Sequence, residues 1–85
     1  MKGELMLRQA AAVVANRRDI YGDPVTSMTA VARRWSITLE HPITPAQVAL
    51  CLIDLKLARL AHQPDHLDSM VDIAGYAAVL REVSR

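Results

Sequence analysis

Phenylalanine is absent from this chain, tryptophan occurs once and tyrosine twice, so any interior must be aliphatic. A single cysteine, Cys51, excludes an intramolecular disulfide and makes no cysteine-based zinc site within one chain. Its setting, Val48-Ala-Leu-Cys-Leu-Ile53, is that of a small buried thiol, so core filler is expected and a reducing cytoplasm fits. Charge of one sign is also missing: ten basic residues against nine acidic give a formal +1. That balance argues against a general nucleic-acid binder, which usually carries a strongly basic patch. No apolar run is long enough for a membrane span, and the start, Met1-Lys-Gly-Glu-Leu-Met-Leu-Arg8, followed by Arg17-Arg18, does not read as a signal peptide. A cytoplasmic protein is expected.

What is present is aliphatic. Apolar residues make up 52% of the 85, with Ala, Val, Leu and Ile dominant and no strand pattern or repeat. The expected fold class is all-α: one domain over residues 1–85, a small bundle of about four helices. A chain this short buries only roughly 60 to 65 per cent of its unfolded surface. It also carries more apolar side chains than one small core can hide, so a homo-oligomer is expected.

The four prolines fall in the breaks between helices. Leu5, Ala10, Val13 and Val14 share helical spacing, predicting a first helix from about Glu4 to Asn16, which Asn16-Arg-Arg-Asp19 ends or extends. Tyr21-Gly-Asp-Pro24 is a turn and a new start, since Gly permits unusual backbone angles and Pro suits a first helical position. The second helix should run to Ile37, with Met28, Val31, Ala32 and Trp35 on one stripe, where Trp35 reads as a core anchor ahead of a platform for a base. Thr44-Pro45 sets a cap beside a first-position proline. The third helix should then reach about Ala61, apolar on almost every side and so central to the fold or to an oligomer. His62-Gln-Pro-Asp65 closes it, and a fourth spans Leu67 to Val83.

Against this background the polar residues of the last two helices stand out. Asp68 and Asp72 are four apart, which puts them on one ridge, with Tyr76 a further turn along. Such a pair is a divalent-metal site, an acidic socket for Arg or Lys, or a solvated helix start in which Asp68 answers the helix dipole. Asp54 would complete a three-carboxylate cluster suited to Mg²⁺. Lys56 and Arg59 share a face that looks toward these carboxylates. They are either a salt-bridge lattice or a grip for phosphate oxygens. His66 either caps the fourth helix or touches ligand, while His41 and His62 stand in linkers. In the turn after the first helix, Arg18 suits phosphate and Tyr21 a base, although Asp, Gly and Pro serve turns for conformational reasons alone.

Taken together, Tyr21-Gly-Asp-Pro24, Ala32-x-x-Trp35, Thr44-Pro45, Val48-Ala-Leu50, Leu55-Lys56-x-Ala58-Arg59, Pro64-x-His66 and Asp68-Ser-x-x-Asp-Ile-Ala-Gly-Tyr-Ala77 resemble a family of small proteins from tailed bacteriophages and prophages. That resemblance implies the cytoplasm of a bacterial host cell. More distantly, the chain is similar to all-α nucleotide pyrophosphohydrolases of the MazG type and to phage nucleotide-modification-associated domains. These hold Mg²⁺ on Glu-x-x-Glu and Glu-x-x-Asp motifs in an oligomeric bundle. Asp68 and Asp72 look like the second motif, spaced by four rather than three, but Lys56 and Arg59 stand where the first would be.

The expected function is therefore binding of a nucleotide or another phosphorylated small molecule at a subunit interface. Lys56 and Arg59 would hold phosphate, Tyr21 or Tyr76 would stack on the base, Arg18 would close the site, and His66 would touch ligand. Two alternatives stand beside it. One is a Mg²⁺-dependent nucleoside triphosphate pyrophosphatase, with Asp68 and Asp72 catalytic and Asp54, Asp68 and Asp72 as metal ligands. The other is an interaction module that docks on a host protein through an apolar helical face.

Overall fold

Proline and capping residues partition the chain as the local chemistry requires. The computed structural model describes residues 1–84 and contains α1 (Lys2–Tyr21), α2 (Pro24–Leu39), α3 (Pro45–His62) and α4 (Leu67–Val83). No residue between Asn16 and Tyr21 breaks a helix, and Arg17 and Arg18 favour one, so Asn16-Arg-Arg-Asp19 extends α1, the second of its two expected roles, and the helix runs to Tyr21. It stops at Gly22, whose φ of 85° and ψ of −166° belong to a region open essentially to glycine alone. Asp23 then caps α2, accepting from the Thr26 amide at 3.4 Å and the Thr26 hydroxyl at 3.3 Å, with Pro24 next in the first turn.

The α2–α3 link is tied down by one hydroxyl. Ser36 Oγ donates to the Ala32 carbonyl at 2.7 Å and accepts from the Ile43 amide at 2.9 Å. A reciprocal box opens α3: the Gln47 amide donates to Thr44 Oγ1 at 3.1 Å, and the Thr44 amide donates to Gln47 Oε1 at 2.9 Å. At α4 the cap is His66, whose Nδ1 accepts from the Ser69 amide at 3.3 Å and lies 2.7 Å from Ser69 Oγ. Since a backbone N–H can only donate, Nδ1 is the acceptor and Nε2 carries the proton. Of the two expectations for His66, capping is the one the structure shows.

The four helices form a small all-α bundle. Helix α4 packs most extensively on α3, also covers α1 and α2, and so occupies the centre, while α1 barely touches α2. Within the fold this corrects the expectation of a central α3, and the other half of that expectation, a centre for an oligomer, is not touched by it. Its apolar residues encircle it, but only the side bearing Val48 and Ala49 is buried, and Leu50, Leu55 and Leu57 stay about half exposed. Cys51, expected in the core, is exposed on the same helix. Leu5, expected on the packed stripe of α1, is 63% exposed, and the buried residue of that helix is Ala10. The fully buried apolar residues are all small: Ala10, Ala32, Val48, Ala49 and Val71. Among the described residues, no helix is long and apolar enough to cross a membrane.

Candidate ligand cavity

The corner between α1 and α2 opens a cavity of about 150 Å³ against α4. Val13 and Val14 of α1, Met28 of α2, and Val71 and Val79 of α4 make its walls apolar. Arg17, Arg18 and Tyr21 reach it from the last turns of α1. On a helix Tyr21 stands three residues after Arg18 and four after Arg17, so the three side chains share one face. All three are exposed, which places the cations at the rim. From α4 come Asp72, Gly75 and Tyr76, the tyrosine half-buried. Gly75 sits where α1 and α4 approach, and a Cβ built there would lie 3.5 Å from Val14 Cγ2.

The carboxylate in this cavity is already matched. Lys56 Nζ lies 2.9 Å from Asp72 Oδ2, and the two side chains keep only 12% and 11% of their exposure. Because Lys56 approaches from α3 and is not part of the cavity lining, it neutralises Asp72 from behind. The arginines are then left as the excess charge at the mouth. Such an arrangement offers an apolar interior and a cationic rim. Asp72 remains able to accept a hydrogen bond from a neutral donor.

The expected site residues thus divide. Arg18, Tyr21, Asp72 and Tyr76 come together, and Lys56 supports them through Asp72. Arg59 and His66 lie elsewhere, sharing a depression of about 360 Å³ with Leu55, Ala58, His62 and Gln63. Of the salt-bridge lattice, the Lys56–Asp72 rung is present, and among the described residues Arg59 and Asp68 form no ion pair. Asp54 and Asp68 are exposed. Among the described residues no three His, Cys, Asp or Glu side chains gather into a group able to hold a metal ion. The expected cluster of Asp54, Asp68 and Asp72 is therefore not formed: Asp72 turns into the α3–α4 seam, and the other two turn to solvent. Sequence reasoning did not assign Arg17, Met28 or Gly75 to the site. The Arg17–Tyr21 spacing was the available signal for the first of them.

A small all-α bundle with an arginine-rimmed apolar cavity is what the fold and the site define. The family described as "Domain of unknown function (DUF6378)" matches residues 5–84, and the chain belongs to it. Among curated proteins, the chain is similar to the Gene 55 protein of Mycobacterium phage L5, 38% identical over 68 residues, covering 79% of this chain and 44% of that protein. It is also similar to the Gene 55 protein of Mycobacterium phage D29, 32% identical over 81 residues, covering 94% of this chain and 54% of that protein. The chain thus spans about half the length of the curated relatives it matches. Both relatives come from phages, as the resemblance to a phage family led us to expect. No solved structure matches the chain.

Proposed function

We propose that this chain binds a nucleotide or another phosphorylated small ligand in the α1–α2–α4 cavity. The supporting observation is the meeting of two tyrosines and two arginines on one apolar hollow whose only carboxylate, Asp72, is neutralised by Lys56. A base fits the interior against Tyr21 or Tyr76, and the phosphates stay at the rim on Arg17 and Arg18, which suit bidentate phosphate contacts. Lys56, engaged with Asp72, takes the role of a support, so the phosphate grip passes from α3 to the end of α1. Mg²⁺ in this reading arrives with the phosphates, since it keeps its waters and needs few protein ligands. A pyrophosphatase of the MazG type would require acidic side chains to converge on metal. The outward turn of Asp54 and Asp68 therefore favours binding over turnover. In an infected bacterium such a protein would withdraw a nucleotide signal or steer nucleotide pools.

The test is a thermal-shift and calorimetric panel of nucleoside mono-, di- and triphosphates and cyclic oligonucleotides, each with and without Mg²⁺. Product chromatography on the same samples separates binding from turnover. A ligand at about 100 times its dissociation constant stabilises the fold by roughly 2.7 kcal/mol, a readily measured rise in Tm. Arg18→Ala and Tyr76→Ala should erase that rise, and Arg59→Ala should keep it. A panel with no shift overturns the reading.

A further inference from the structure

We infer that the solvent-facing side of α3 is the seam of a two-fold dimer of this chain. A folded monomer of 9.4 kDa is expected to expose roughly 5,000 Å². This chain exposes 6272 Å². The excess is larger than the ~800 Å² that each partner contributes to a standard stable interface. The buried apolar set points the same way, because it holds alanines and valines and no leucine or isoleucine. Many of the large aliphatic side chains stay exposed.

The α3 face is where they are contiguous. Leu50, Leu57 and Ala61 lie on one ridge, at steps of seven and four, and Cys51, Leu55 and Ala58 on the next, at steps of four and three, the spacings that bring two helices side by side. All six are exposed, with Leu50 at 48%, Leu55 at 49% and Leu57 at 50%. Asp54 is the one acidic residue among them. Other exposed aliphatics are less suited: Leu5 and Leu7 form a short run closed by Glu4 and Arg8, Ile37 and Leu39 sit at the end of α2 beside Glu40, and Ile20 and Leu67 each adjoin an aspartate.

The occupant must be complementary to this face, and the face is complementary to itself. Leucines project from it next to the depression of about 360 Å³ lined by Leu55, Ala58, Arg59, His62, Gln63 and His66. A two-fold interface places the same patch on both sides, so projection meets hollow twice. This inference is independent of the ligand reading, and its test uses no ligand.

Cys51 supplies the reporter, being the only cysteine and lying on the face. Sedimentation equilibrium of the full chain should give twice 9.4 kDa. The rate of Cys51 reaction with a thiol reagent should fall as the protein is concentrated. Leu55→Lys changes a half-exposed side chain and should leave the helical circular dichroism intact. It should weaken association by at least about tenfold, since its ammonium would lose water at the seam, and restore the fast thiol reaction. Asp54→Leu, which removes the charge from the face, should strengthen association. A single-chain mass at every concentration with Cys51 always reactive overturns the proposal and leaves the face to a different protein. A dimer that keeps Cys51 reactive and survives Leu55→Lys overturns it as well, because association then uses another surface.

Discussion

Lys56 and Asp72 meet at 2.9 Å across the seam between α3 and α4, with both side chains almost withdrawn from water. Removing one partner leaves the other charge stranded in that seam, and for buried pairs this costs about 3 to 5 kcal/mol. Lys56→Met is therefore expected to lose roughly 3 kcal/mol in urea unfolding. The double variant Lys56→Met with Asp72→Leu should recover most of that loss, because a well-packed apolar pair substitutes for a buried ion pair. If the single and double variants lose the same amount, the pair does not act as a unit.

Gly75 offers a separation of stability from binding. A methyl group there would make ordinary contact with Val14 at 3.5 Å, and alanine is favoured over glycine inside a helix by about 0.8 to 1 kcal/mol. Gly75→Ala should thus raise the unfolding midpoint. The same methyl group enters the cavity lining, so the nucleotide-induced rise in Tm should shrink. Parallel unfolding and ligand titrations check both halves. A variant that is stabilised and binds normally would move the ligand away from the α1–α4 wall.

At the start of α4, His66→Ala removes the acceptor of the Ser69 amide and the neighbour of the buried Ser69 hydroxyl. Loss of a helix cap costs about 1 kcal/mol, within a range of about 0.5 to 2. His66→Asp should restore most of it, because a carboxylate accepts the same amide and opposes the positive end of the helix dipole. Nitrogen chemical shifts of the imidazole should report a proton on Nε2. A proton found on Nδ1 instead would mean that the ring does not cap the helix.

The starts of α2, α3 and α4 were legible in the sequence because caps and prolines act on their nearest neighbours. Asp23-Pro24 and Thr44-Pro45 need no knowledge of what lies across the molecule. Which side of α3 faces inward was not legible, because leucines ring the whole helix and periodicity selects a face only where polar residues contrast with it. Cys51 was misjudged for the same reason. Lys56 and Arg59, three residues apart, differ in direction by about 60° around the axis. That difference puts Lys56 in the seam with Asp72 and leaves Arg59 at its edge. The gathering of Tyr21 with Tyr76 depends on how α1 crosses α4, which no local spacing encodes.

Because α4 packs against each of the other helices and follows them all in the sequence, it is the last of the four to emerge from the ribosome. Until then α1 and α3 lack their principal neighbour. Completion of the fold during synthesis must therefore wait for α4. A slow codon within α4 would extend the period of chaperone exposure far more than one at the same distance into α1, and a premature stop there would leave the other three helices without their common neighbour.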